Sequence, residues 1–138
     1  MPCSKLTAPN KGSLSLEDEI NATKAKRYEL VENVEEGSDY SAIIDKLFTD
    51  DCINIINGQA PVFGKEGMAH EWSYWFESNH VNWGTHTTNA FGEKLGKVWE
   101  DGIMTAYRDD AVIGTSRYIF VYKRVNGNLL NFIDIFFD

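Results

Sequence analysis

At 138 residues, with 13 Lys and Arg against 21 Asp and Glu, the chain carries a formal net charge of −8. That length suits one domain with a core of its own, and the acidic balance excludes a nucleic-acid backbone as the main partner. No apolar run of about 18 residues is present to span a bilayer, and Met1-Pro2-Cys3-Ser4-Lys5 lacks the apolar stretch of a secretory signal, so a cytoplasmic protein without membrane or nucleic-acid partners is expected.

Residues 1–13 are rich in Pro, Gly, Ser, Lys and Asn and hold too little apolar surface to offset ordering, so they are read as a flexible tail, with residues 14–138 as a single domain. Ser15 is an N-cap candidate, Glu17, Asp18 and Glu19 suit a first helical turn, and Leu16, Ile20, Leu30, Val31 and Val34 fall on one stripe, giving a helix to about Glu36. Gly37 stops it, and Ser38 or Asp39 caps a second helix whose Tyr40, Ile43, Ile44, Leu47 and Phe48 follow the helical period, with Asp50-Asp51 ending it. Cys52–Ile56 is a short strand followed by the turn signal Asn57-Gly58, and a hairpin-like pair ends at Val62-Phe63. A third helix, Glu66–Ser78, places Met68, Trp72, Trp75 and Phe76 on one face.

Beyond His80 the period changes to two. Residues 83–95, 98–108, 113–125 and 129–137 read as four strands, punctuated at Gly92, Gly96, Asp109-Asp110 and Asn126-Gly127. Three helices followed by consecutive long strands predict an α+β domain with the helices on one face of an antiparallel sheet. Cys3 and Cys52 form neither a disulfide framework nor a zinc site and are read as free thiols. No spacing of His, Cys, Asp or Glu suits a metal, and no Gly-rich phosphate loop appears, so no metal and no cofactor are expected.

The sharpest chemical signal is Asp134. Leu130, Phe132, Asp134 and Phe136 alternate in the last strand, which predicts a carboxylate on an otherwise hydrocarbon face. Such a group must find a partner or hold a proton, and either outcome perturbs its pKa and marks it as a functional candidate. Pairing with a buried Arg27, Arg117 or Tyr hydroxyl is the competing structural role.

The element order, with Asp39, Leu47-Phe48-Thr49-Asp50-Asp51-Cys52, Val62-Phe63-Gly64-Lys65-Glu66-Gly67, the run Ser116–Gly127 and Ile133-Asp134-Ile135-Phe136, resembles the nuclear transport factor 2-like superfamily, also called SnoaL-like or ketosteroid isomerase-like. The resemblance covers residues 16–138 and implies a cone-shaped curved antiparallel sheet wrapped around three N-terminal helices, a cystatin-like roll, with a conical pocket. It does not imply one function, because this fold carries enzymes and assembly modules alike.

Compared with ketosteroid isomerases, this chain has Ile56 where the general base stands and about Arg117 where the proton-donating acid stands. Asp134 matches the last-strand Asp of limonene epoxide hydrolases, but Asp101 and Ile103 stand near the expected places without the Arg. His86 stands where scytalone dehydratase-like enzymes carry a His. The inward parity implied for the pocket is Asp134 and Phe136, then Ser116, Tyr118 and Phe120, then Trp99, Asp101, Ile103 and Thr105, with Asn54 and Ile56 on the first strand; the third set would be reversed by a gap at the Asp109-Asp110 turn, and its parity stays open. Tyr28 and Trp72 complete the candidate ligand contacts.

Two readings stand. In one, the chain binds a small hydrophobic molecule and is a cofactor-independent lyase or isomerase, with Asp134 and His86 or Tyr118 sharing proton transfer. In the other, it is a non-catalytic binding or oligomerisation domain. Bulky residues on both faces of the Arg117–Val125 strand predict a homodimer through the outer face of the long strands.

Overall fold

A computed structural model describes residues 15–34, 40–92 and 96–137. The tail and Gly37 lie outside the described residues; within them the first helix stops at Glu32 rather than near Glu36, Tyr40 and not Ser38 or Asp39 is the N-cap of the second, and the first long strand ends at Phe91.

Helix α1 spans Leu16–Glu32, and the Ser15 hydroxyl caps it by accepting from the Asp18 amide at 3.1 Å. Its buried face is Ile20, Lys24 and Arg27. These fall on one stripe at i, i+4 and i+7, so the face turned to the core carries two cations. Helix α2 is Ser41–Leu47, and the chain passes directly into strand β1, Phe48–Ile56. Asp50-Asp51 therefore lies inside the strand, which starts at Phe48, four residues before the expected Cys52. After β2 (Val62–Phe63), helix α3 (Gly64–Trp72) continues as a π-helical segment, Ser73–Ser78. Strands β3 (Asn82–Phe91), β4 (Lys97–Arg108), β5 (Ala111–Val125) and β6 (Asn128–Phe136) complete the chain.

The sheet has six strands in the order β2-β1-β6-β5-β4-β3 and is curved and unclosed. All pairs are antiparallel except β1 with β6, which is parallel and makes the sheet mixed. The hairpin turns are as expected. Asn126 and Gly127 both have positive φ, 51° and 82°, and so do Asp109 and Asp110, 51° and 65°, the backbone that two-residue turns require between right-twisted strands.

Two bulges decide which side chains face the helices. On β5, Arg108 pairs with Ala111 and Tyr107 with Val112, but Ala106 pairs with Gly114, leaving Ile113 as an extra residue. On β6, Tyr122 pairs with Asn131 and Val121 with Ile133, leaving Phe132 extra. Because side chains alternate with period two, one extra residue moves every later partner to the other face.

The core is in two parts. Tyr40, Ile43, Ile44, Leu47, Phe48, Cys52, Met68 and Trp72 pack between α2, α3 and β1, while Ile20, Val98, Tyr118, Phe120, Tyr122 and Leu129 pack α1 against β4, β5 and β6. No helix among the described residues is long and apolar enough to cross a membrane.

Candidate functional site

Between the two core clusters lies a cavity of about 270 Å³ whose walls include Phe48, Met68, Trp72, Trp75, Trp83, Met104, Phe120 and Phe136, with Arg27, Asn54, Asn57, Gln59, Glu71, Ser116 and Asp134 as its polar groups. The residues come from α1, β1, α3 and its π-helical extension, and β3 to β6. Trp75, on that extension, donates its indole N–H to Glu71 Oε2 at 3.0 Å. A wider helical turn of this kind shifts the side chains that follow it, and such turns often occur at functional sites.

Asp134 is 6 % exposed and lines this cavity. The bulge at Phe132 changes its surroundings from those expected. Leu130 and Phe132 leave its face, Asn131 enters it fully buried, and Phe132 turns outward beneath the Lys123 ammonium, 3.7 Å from the ring centre. Asn131 is the hinge of a short relay: Arg27 Nη2 donates to its Oδ1 at 2.8 Å, and its own Nδ2 donates to Asp134 Oδ1 at 2.8 Å. Burial raises the Asp134 pKa to about 6, only partly opposed by the Arg27 charge and the Asn131 hydrogen bond, and the Glu100 charge pushes it in the same upward direction. Burial opposes the Arg27 charge, but the oxygens of Tyr122, Asp134 and Glu100 outweigh it and hold the guanidinium protonated.

Beneath the cavity is a second buried polar cluster centred on Glu100, which is 0 % exposed. Lys24 forms an ion pair with Glu100 Oε2 at 2.8 Å, to which Tyr118 donates at 2.5 Å and Thr87 at 2.7 Å, while the Tyr122 hydroxyl donates to Oε1. Lys24 also donates to Tyr118 at 3.2 Å and to Thr87. Burial favours the protonated acid, but hydrogen bonds from Lys24, Tyr118, Tyr122 and Thr87 outweigh it and hold Glu100 below its ordinary pKa. This cluster is a saturated ion pair of the kind a buried charge requires. Neither Lys24 nor Glu100 stands out as a site residue in the sequence. The cluster's signal was Lys24 on the stripe of Ile20 and Arg27, together with Glu100 alternating with Val98 in β4.

The cavity brings together Asp134, Asn54, Ile56, Trp72, Ser116 and Phe136. Asn54 stands opposite Asp134 in the parallel ladder, and the Ser116 hydroxyl is held by the Phe137 carbonyl. Tyr28 is elsewhere. Its hydroxyl accepts from the Thr85 amide at 2.9 Å, and it lines a smaller adjoining pocket of about 180 Å³. Tyr118 is a correction, because it is committed to Glu100 and does not line the main cavity.

Trp99, Asp101, Ile103 and Thr105 are corrected as well. The Ile113 bulge puts Val98, Glu100, Gly102, Met104 and Ala106 on the helix side, so Trp99 and Ile103 point outward, 45 % and 39 % exposed, and Asp101 accepts from Asn89 at the exposed surface. His86 pairs with Ile103 and shares its outward face, exposed and away from Asp134. Cys52 is a free thiol as read, buried and pushed up to about 11 by burial first and the Asp134 charge second; Cys3 lies outside the described residues. Among the described residues no group of three or more His, Cys, Asp or Glu side chains could hold a metal ion.

No protein-family model matches the chain, and neither does any curated protein. Solved structures do. A Shewanella oneidensis protein of unknown function, described as nuclear transport factor 2-like, superposes with a TM-score of 0.68 at 12% identity, over 88% of this chain and 98% of its own. The chain has the nuclear transport factor 2-like fold. A protein from Catenulispora acidiphila in complex with S-DNPA shares this fold with a TM-score of 0.65 at 21% identity, over 88% of this chain and 92% of that one. A ketosteroid isomerase-like protein from Erwinia carotovora shares the nuclear transport factor 2-like fold too, with a TM-score of 0.60 at 18% identity over 86% and 92% of the two chains. These likenesses are of architecture, and the chemistry rests on this chain's own residues.

Proposed function

We propose that this protein binds a small, mostly apolar molecule in the 270 Å³ cavity and that Asp134 exchanges a proton with it, as in a cofactor-independent isomerase or lyase. One observation carries the reading: a buried carboxylate on an open aromatic cavity, raised to about 6 and with only Oδ1 committed to a protein donor among the described residues. A carboxyl group poised near neutral pH can give or take a proton in the working range. The bound S-DNPA of the Catenulispora protein supports a ligand-binding use of this architecture. His86 and Tyr118 do not share the transfer in this reading, since one faces outward and the other serves Glu100.

The second reading, an assembly domain, draws on the outer face, where Trp99 and Ile103 are exposed beside Ile119, Ile133 and Ile135. We assign this face to a homodimer contact that coexists with binding, because an apolar sheet face is normally covered. A free, buried Cys52 thiol fits the reducing cytoplasm.

Native mass spectrometry of the purified protein, followed by extraction of any retained molecule, tests the cavity. The expected result is a dimer that retains or takes up an apolar small molecule and loses turnover on Asp134→Asn. A protein that neither retains nor takes up any apolar molecule refutes the binding reading, and a monomer at tens of micromolar by light scattering refutes the dimer.

A further inference from the structure

The polar end of the ligand can be named from the groups that the fold leaves unanswered, an inference that rests on the binding reading above. Arg27 is 5 % exposed, lines the cavity and has no ion pair among the described residues. Its Nη2 is used by Asn131, Tyr122 adds a hydrogen bond and its guanidinium lies over the Phe120 ring at 5.4 Å, so its direct partners are neutral groups. A buried cation whose direct partners are neutral is costly, and an anion in contact with it removes that cost. Asp134 is in the complementary state. Its Oδ1 is tied to Asn131 and its Oδ2 has no partner among the described residues. Because both side chains bond to the same Asn131 amide, they are neighbours on one wall.

An ammonium head would meet the Arg27 charge, and a lone hydroxyl can bond both arms but brings no negative charge to the buried guanidinium. A carboxylate has two acceptor oxygens in a plane, which suit an N–H from one arm and an O–H from the other. We propose that the cavity takes an apolar monocarboxylate, with one oxygen accepting from the Arg27 guanidinium and the other from the protonated carboxyl of Asp134, so that binding takes up one proton. The balance is simple: the ligand enters as an anion, one proton moves from solvent to Asp134, and no covalent bond to the ligand changes.

The groups facing Asp134 set the pH dependence. Arg27 from α1 and Asn131 from its own strand favour its charged form, whereas Glu100 from β4 opposes it; Cys52 from β1 and Tyr122 from β5 also interact with it, and Glu71 from α3 lines the same cavity. Above about 6 the empty site holds Asp134 as an anion that must be reprotonated before the carboxylate is accepted. Affinity therefore falls by about fivefold from pH 6 to pH 7 and by about tenfold from pH 7 to pH 8.

The test is calorimetric titration of the wild-type chain with 1-naphthoate, the neutral 1-naphthalenemethanol and the cationic 1-naphthylmethylammonium, at pH 6, 7 and 8 in buffers of differing ionisation enthalpy. Naphthoate is expected to bind tightest at pH 6, with uptake approaching one proton at pH 8. Arg27→Lys, which keeps the charge but moves the donor, should weaken naphthoate at least about tenfold while leaving the alcohol within about twofold. Asp134→Asn should keep naphthoate binding and abolish proton uptake. Equal or tighter binding of the alcohol or the ammonium at every pH, or naphthoate binding without proton uptake, overturns the carboxylate inference and leaves the pocket reading standing. Failure of all three probes overturns both.

Discussion

Asp134→Asn should make the protein more stable, and increasingly so as the pH rises. In the folded chain the Asp134 pKa is about 6 against an ordinary 3.8, so the native state binds this proton more tightly than the unfolded state does. Native stability therefore falls as pH rises from 3.8 to 6 and then levels, because above that range both states have released the proton. The difference of about two pKa units corresponds to about 3 kcal/mol of destabilisation at pH 8, and about half of that at pH 5. Asparagine imitates the protonated form and keeps an oxygen to accept from Asn131, while the attraction of Arg27 for the charge is already contained in the raised value. The variant should gain about 3 kcal/mol at pH 8, or about 10 °C in melting temperature for a domain of this size, and about 1.5 kcal/mol at pH 5. Urea unfolding of both proteins at the two pH values, with an NMR titration of the carboxylate, measures this directly. A variant destabilised at pH 8, or an Asp134 titration below its ordinary value, would show that Arg27 and Asp134 form a stabilising ion pair and would refute the reasoning.

Glu100→Gln leaves the buried Lys24 ammonium without its anion and should cost about 3–5 kcal/mol in chemical denaturation at pH 7. Since the Glu100 pKa is lowered on folding, its contribution is present above its ordinary pKa of 4.5 and is lost as pH falls through the folded value; the deficit of the variant should therefore shrink in acid, and an equal deficit at pH 3 and pH 7 would contradict this assignment. His86→Ala, at an exposed site outside the cavity, should change stability by less than about 0.5 kcal/mol and leave ligand affinity unchanged, and a tenfold loss of either binding or turnover would return His86 to the site. Gly102→Ala should destabilise by about 3 kcal/mol or more, because an added Cβ would lie 2.1 Å from the His86 carbonyl oxygen and 2.7 Å from the Tyr118 hydroxyl; near-native melting of this variant would show that β3 and β4 are less closely apposed.

Most of the elements are legible in local pattern, although β1 begins at Phe48 and not at Cys52. Helical stripes, the Ser15 cap, the Asn126-Gly127 and Asp109-Asp110 turns and the alternation of the long strands are local signals, each set by residues a few positions apart. The sequence by itself also determined that Asp134 stands out, since a carboxylate among Ile133, Ile135 and Phe136 is unusual whichever way the strand faces. Tertiary structure decided what Asp134 meets. The extra residues Phe132 and Ile113 leave no clear mark in a strand of bulky apolar side chains, because a bulge is a property of the pairing between two strands and not of either one. One of them replaced Leu130 and Phe132 with Asn131 on the face of Asp134, and the other exchanged Trp99, Asp101 and Ile103 for Glu100, Gly102 and Met104. The same limit hid the Lys24–Glu100 pair, whose partners are 76 positions apart. A cation on a helix stripe is ordinarily read as exposed, and only the strand brought against it decides whether its charge is solvated or paired.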